Sequence, residues 1–146
     1  MTALFYIPRM TVLFYVLLCV CATAASPWQP LLNVINMFRY QHGAPGLTLT
    51  DNISYTNAST FSVNDLHVYV IDHSMIAVNA WYNEGFRYNY DNQAPQPNTQ
   101  NFTRMIWRSS RELGCKLVSR NNTKTLFCSY NPPGNIPGEY QYNIRP

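Results

Sequence analysis

Hydrophobic and polar positions alternate along this chain with two periods. Leu31, Ile35 and Phe38 recur three to four residues apart, so Pro30 to Tyr40 reads as an amphipathic helix, stopped by Gly43-Ala44-Pro45-Gly46. Leu47 to Ala58 is polar and ambiguous; Thr50-Asp51 is placed to cap a second helix that would carry Ile53 and Tyr55 inward. Leu66 to Ile71 is β-branched and aromatic and reads as a short strand. From Asp72 or Ser74 to about Phe86 the helical period returns, with Met75, Val78 and Tyr82 on one face and Trp81 beside it. Tyr88 to Gln100 has no period and reads as a long surface loop, a kind of segment that often carries function. Phe102, Met105 and Ile106 set a further helix over Phe102 to Ser110.

The last portion reads as two strands, Cys115 to Arg120 and Thr123 to Tyr130, around Asn121-Asn122 as a two-residue turn. That turn pairs Arg120 with Thr123, Leu117 with Leu126 and Cys115 with Cys128. Pair types alternate along an antiparallel ladder, so the cysteines fall at a non-hydrogen-bonded position with Cα atoms about 4.5 Å apart. A disulfide fits there, near the short end of its range.

The first residues bear on compartment. Arg9 precedes an apolar run from Val12 to Val20, and small residues from Cys21 to Ser26 follow. This is the pattern of a signal peptide over residues 1–25, leaving a single domain over 26–146. The run is short for a membrane span, and no transmembrane segment is expected in the mature chain. In an oxidising compartment the cysteines outside the leader, Cys115 and Cys128, suit a bridge. Four glycosylation sequons, at Asn52, Asn57, Asn101 and Asn121, suit it as well. The net charge of +3 includes Arg9, and no Lys/Arg cluster appears, so nucleic acid is not an expected partner. Aromatics at 14% argue for a packed domain and against disorder.

Five ordered motifs carry a family resemblance. Asn101-Phe-Thr-Arg-Met-Ile-Trp-Arg-Ser-Ser110 and Leu126-Phe-Cys-Ser-Tyr-Asn-Pro-Pro-Gly-Asn-Ile136 resemble the two signatures of the CAP superfamily, the cysteine-rich secretory, antigen 5 and pathogenesis-related proteins. Leu113-Gly114-Cys115 lies between them as a similar step does in the family. Trp81-Tyr82-Asn83-Glu84 resembles the family's W-Y-x-E, and Asn36 to Arg39 with His42 to Pro45 resembles its first-helix motif. The resemblance implies an α+β fold, a three-layer α-β-α sandwich with a small, mainly antiparallel sheet. It implies one such domain without a cysteine-rich extension.

The resemblance also implies a cleft of two His and two Glu, sometimes holding a divalent metal. Carried over by position, Glu84 is retained. Asn101 stands where the signature opens with His, and Asn64, or Asp65 if the local alignment slips by one, stands at the second Glu. The segment that would bear the remaining His is shortened here. His67 and His73 lie nearby and read as strand-end or cap residues; His42 belongs to the first-helix motif, with a structural role. Glu84 reads equally as a cleft remnant or a solvated helix residue.

No G-x-S-x-G, H-E-x-x-H or phosphate-loop motif is present, and Asp and Glu total 7, little material for paired acid–base work. The expected function is therefore non-enzymatic: a secreted binder of a lipid or sterol, or of an extracellular protein, without a cofactor. The expected contact surface is the loop holding Tyr88, Tyr90, Asn92, Pro95 and Pro97, since tyrosine offers large contact area at low entropy cost. A metal-assisted hydrolase, or a decayed paralogue with little activity, is the alternative.

Overall fold

A computed structural model describes residues 26–63 and 70–146. The fold is α+β. In chain order the elements are α1 (Gln29–Gln41), β1 (Thr48–Leu49), β2 (Ser59–Val63), α2 (Val70–Asn83) running into a 3-10 turn (Glu84–Arg87), α3 (Gln100–Met105), β3 (Glu112–Arg120), β4 (Thr123–Asn131) and α4 (Tyr140–Asn143). The four strands form one sheet in the order β1-β3-β4-β2. β1 runs parallel to β3, and the other two pairings are antiparallel.

The hairpin has the expected register, with Arg120 opposite Thr123, Leu117 opposite Leu126 and Cys115 opposite Cys128. Its turn residues Asn121 and Asn122 both take left-handed backbone, φ 46° and 60°. A two-residue turn that matches strand twist needs that conformation, and asparagine tolerates it better than other side chains. Cys115 and Cys128 are bridged, with Cα atoms 4.2 Å apart.

Leu113, Cys115 and Leu117 of β3 share a sheet face with Leu126, Cys128 and Tyr130 of β4, and on it pack Leu31 and Ile35 of α1 and Val78 and Trp81 of α2. A second cluster gathers Tyr88, Phe102, Ile106, Trp107, Tyr140 and Ile144. The Asn36 side-chain amide closes two hydrogen bonds with the Leu47 backbone, at 2.7 and 3.0 Å, and so hangs β1 from α1. The Trp81 indole N–H donates to the Thr60 carbonyl at 3.2 Å and ties α2 to β2.

Four local expectations change. First, β2 was not anticipated. Its Ser-Thr-Phe-Ser-Val sequence alternates, with Ser59 buried, Phe61 against the core and Thr60 and Ser62 exposed, but the alternation is written in hydroxyl residues. Second, α2 begins earlier than expected: Val70 and Ile71, read as the end of a strand, open the helix. The rest of that strand lies outside the described residues. Third, Thr50-Asp51 caps no helix. The Thr50 N–H donates to the Leu113 carbonyl at 2.9 Å, prolonging the β1 pairing, and its hydroxyl accepts from the Asn52 N–H at 3.3 Å in a local turn. Irregular chain follows and lies against the reverse face of the sheet. There a Cβ on Gly114 would collide with Ile53 and stand 2.9 Å from the Thr50 carbonyl.

Fourth, the helix expected to reach Ser110 ends at Met105. The cause is Arg39, fully buried on α1. Its guanidinium donates to the carbonyls of Pro45 (2.9 Å), Met105 (2.8 Å), Trp107 (2.9 Å) and Ser110 (3.0 Å). Carbonyls gathered on one cation cannot also point along a continuing helix, so the chain beyond Met105 turns around it. Arg39 follows Leu31 and Ile35 at the same helical spacing. The apolar stripe read on α1 therefore ends in a buried charge.

His73 departs from the reading as a cap or strand-end residue. It lies inside α2 and is fully buried, with Phe61 edge-on at 5.6 Å between ring centroids. Among the described residues neither ring nitrogen has a hydrogen-bond partner. Burial lowers its pKa, the Phe61 backbone opposes, and Lys124 adds to the lowering. The folded state thus prefers neutral imidazole. This contribution to stability is full above the unfolded value of about 6.5 and is lost as pH falls below it. Urea midpoints at pH 7.5 and 5.5 should therefore fall further for the wild type than for His73→Phe; equal falls would exclude His73 as the cause.

Candidate functional site

The site begins with an uncapped helix. α3 starts at Gln100, and the first N–H groups of any helix lack intrahelical acceptors. The Thr99 hydroxyl does not supply one, because it donates back to the Gln96 carbonyl at 2.9 Å. Glu84, at the start of the 3-10 turn, supplies it from a distance. Its Oε2 accepts from the backbone N–H of Asn101 (2.9 Å) and of Phe102 (3.1 Å), and its Oε1 accepts from the Asn101 side-chain amide at 2.7 Å. A carboxylate at a helix N-terminus is also favoured by the helix dipole. Glu84 is therefore more than a solvated helix residue: it holds Asn101 through both backbone and side chain.

Glu84→Gln should cost about 1 kcal/mol, since the amide keeps one oxygen acceptor but loses the charge. Glu84→Ala should cost about 2 kcal/mol, by removing every cap bond at once. Urea unfolding of both variants tests this; equal, negligible costs would return Glu84 to the solvent-exposed reading.

Arg104 of α3 stands beside this pair. Its Nη1 donates to the Ser59 hydroxyl of β2 at 3.1 Å and reaches the Asn101 side-chain oxygen at 3.5 Å. Burial lowers the guanidinium pKa, while Tyr130, Tyr140 and Glu84 oppose.

The divalent metal implied by the resemblance does not fit these residues. Both Glu84 oxygens accept hydrogen bonds, Asn101 presents an amide where the resemblance would place an imidazole, and a guanidinium lies against that amide. Among the described residues no three His, Cys, Asp or Glu side chains converge. Asn64, Asp65 and His67 lie outside the described residues. His42 is structural, as read: its Nδ1 donates to the Arg145 carbonyl at 2.8 Å, and Nε2 lies 3.2 Å from the Tyr82 hydroxyl.

The loop from Tyr88 to Gln100 divides into an inner and an outer part. Tyr88 is buried against Tyr90 and Phe102 and anchors the loop from inside. Tyr90 is half-buried, and Asn92, Pro95 and Pro97 are exposed. The Gln96 side chain pins the segment, accepting from the Asn89 N–H (2.8 Å) and donating to the carbonyls of Asn89 and Asn92 (2.7 Å each). At its base lies a hollow of about 230 Å³ lined by His42, Tyr82, Gly85, Phe86, Tyr90 and Phe102. Phe86 is 86% exposed at its rim, a large apolar side chain with no partner in the core.

The sequons separate in the same way. Asn52, Asn57 and Asn121 are exposed. Asn101 is half-buried with its amide on Glu84, and the Thr103 hydroxyl of that sequon is buried and donates to the Asn135 side-chain oxygen at 2.7 Å.

Sequence reasoning did not single out Arg39, Arg104 or Phe86. A signal existed for the two arginines. Each is a lone cation in an otherwise apolar helical phase, Arg39 after Leu31 and Ile35, and Arg104 between Phe102 and Met105-Ile106.

Comparison with known proteins bears on the family and the fold. The profile of the cysteine-rich secretory protein family matches residues 54–130. Pathogenesis-related protein 1 of Arabidopsis thaliana is 42% identical over 67 residues, covering 45% of this chain and 42% of that protein. A probable pathogenesis-related protein of Candida albicans is 38% identical over 122 residues, covering 80% of this chain and 54% of its own length. The chain thus spans about half or less of these curated relatives. Among solved structures, NaASP2 with Zn2+ superposes with a TM-score of 0.64 over 75% of this chain and 81% of that one, at 16% identity. Hookworm platelet inhibitor does so with 0.63 over 80% and 75%, also at 16% identity. At that identity the likeness speaks for the fold alone, an α-β-α sandwich.

Proposed function

The chain belongs to the cysteine-rich secretory protein family, the CAP superfamily, and from that premise we propose that it is a secreted, non-enzymatic binding protein. Its partner is a lipid or sterol, or an extracellular protein. The observation that carries the reading is the state of Glu84. A carboxylate that caps a helix and holds an amide has three of its four lone-pair directions engaged, and an amide rather than a second ligand stands beside the one left on Oε1. A metal-assisted hydrolase would need a freer carboxylate and a second ligand next to it. Metal analysis of purified protein after dialysis against trace Zn²⁺ is expected to find far less than one equivalent, and a stoichiometric metal would restore the hydrolase.

The aromatic hollow beside the Tyr88–Gln100 loop supports the binding half of the proposal. At about 230 Å³ it falls below the range of sites that enclose a whole small molecule, and suits one end of a sterol or an apolar side chain of a protein. Phe86 and Tyr90 are the residues to test. A fluorescent sterol titrated into Phe86→Ala/Tyr90→Ala should bind at least about tenfold more weakly than into the wild type, as loss of two aromatic contacts predicts. Equal binding by the two proteins would remove the hollow, and the loop with it, from the account. Passage through the secretory route, with removal of residues 1–25 and glycans on Asn52, Asn57 and Asn121 but not on Asn101, belongs to the same proposal. Mass spectrometry of the secreted protein reads both.

A further inference from the structure

Another hollow, with a lining that shares no residue with the aromatic one, differs from it in chemistry. It holds about 300 Å³ between the irregular chain after β1 and the end of β4, and Asn52, Asn57, Arg104, Ser129, Tyr130 and Gly134 contribute to its wall. No carboxylate lines it among the described residues. Two features of this wall are unexplained by the fold or by the binding role proposed above.

The first is Arg104. Its plane is set through Nη1 by Ser59 and Asn101. Nε and Nη2 have no hydrogen-bond partner among the described residues. These two nitrogens form one edge of the guanidinium, the edge that meets two oxygens of a carboxylate or phosphate in parallel hydrogen bonds. The second is Tyr130. It is 3% exposed, and its hydroxyl is buried without a hydrogen-bond partner among the described residues. Arg39 and Arg104 are both close enough to favour its ionised form, although burial outweighs them. A partly desolvated cation with a free fork and a buried donor without an acceptor are each costly alone, and one oxyanion would satisfy both.

We propose that this hollow is a binding site for an oxyanion, a carboxylate or phosphate group, held by the Nε–Nη2 edge of Arg104 with Tyr130 as a further donor. Arg104 supplies charge and geometry, and Tyr130 rewards a group that enters deeply. Gly134 keeps the wall tight behind Arg104: a Cβ there would stand 3.0 Å from Trp107 and 3.2 Å from the Arg104 backbone. The exposed Asn52 and Asn57 stand at the hollow, so a glycan on either would lie at its mouth. The inference does not depend on the ligand of the aromatic hollow, and its test leaves Phe86 and Tyr90 untouched.

The test is calorimetric titration of the purified protein with inorganic phosphate, acetate and glycerol 3-phosphate, at constant ionic strength balanced with chloride. Saturable binding of at least one of the three by the wild type is expected. Tightest binding of acetate marks a carboxylate ligand, of phosphate a free ion, and of glycerol 3-phosphate a headgroup-like ester. Arg104→Gln should weaken binding at least about tenfold, and Arg104→Lys, which keeps the charge but not the fork, should weaken it at least about threefold. Tyr130→Phe should weaken it severalfold, with the ring still packed in place. Absence of saturable binding by the wild type overturns the proposal. So does unchanged affinity in a folded Arg104→Gln. If that variant does not fold, unchanged affinity in both Arg104→Lys and Tyr130→Phe overturns it.

Discussion

Arg39→Met is expected to destabilise the domain by roughly 4 kcal/mol or more, since each carbonyl left without its donor costs about 1–3 kcal/mol. The side chain is fully buried and serves carbonyls from two separate stretches of chain, Pro45 and the run from Met105 to Ser110. Methionine replaces the volume of the aliphatic stem but none of the donors. Against a typical domain stability of about 5–15 kcal/mol, a loss of this size leaves little folded margin. Arg39→Lys should recover only part of the loss. A single ammonium carries three donors on one atom and cannot reach carbonyls that the planar fork reaches from three nitrogens. Urea unfolding of both variants decides the matter, and a cost below about 1 kcal/mol for Arg39→Met would show that the carbonyls find other donors or water.

The charge on Arg39 also fixes what pH can and cannot report. Burial lowers its pKa to about 10, with Arg111 adding to the lowering and Tyr130 opposing. The folded value lies below the unfolded one, so the burial penalty is fully present throughout the acid and neutral range. It is relieved only as pH climbs past about 10. Between pH 5 and 8 Arg39 contributes a constant. A difference in pH response between the wild type and His73→Phe in that window therefore belongs to His73.

Removing the disulfide should have the next largest effect. Cys115 and Cys128 are 13 residues apart, and closing a loop of that size contributes about 3 kcal/mol through the unfolded chain. The value is an upper one, because the Asn121-Asn122 turn already favours the hairpin in the unfolded state and part of the loop entropy is lost regardless. Cys115→Ala/Cys128→Ala is thus expected to lower the melting temperature by roughly 10 °C while keeping a cooperative transition. Cys128 is fully buried and Cys115 8% exposed. Reduction of the native protein by a mild thiol should accordingly be slow and should speed up in denaturant. A double variant as stable as the wild type would mean that sheet pairing alone holds the hairpin.

What was legible in the sequence followed the range of the interaction. The hairpin register and its disulfide were legible because a two-residue turn sets every pair in the ladder above it, and both strands lie within a few residues of that turn. α1 was legible because a helix repeats its own period. β2 was not, since Ser59–Val63 becomes a strand by pairing with Lys124–Cys128, far along the chain. The end of α3 was misplaced for the same reason. Its stop is made by Arg39, whose acceptors Met105, Trp107 and Ser110 lie 66 to 71 residues away.

The candidate site divides along the same line. From the sequence alone came the family, the reading of Glu84 and Asn101 as a pair of cleft positions, and the cysteine pair; each is a matter of residue identity or of local spacing. Only the tertiary structure decided that Glu84 caps α3 and holds Asn101 across 17 residues. It also decided that Tyr88 faces inward while Phe86 faces out, and that Arg104 meets Ser59 with one edge of its guanidinium left free among the described residues. The physical reason is common to all three. A helix period or a turn is fixed by neighbouring backbone dihedrals, whereas the satisfaction of a buried charge or donor depends on which distant groups the packed chain brings within about 3 Å.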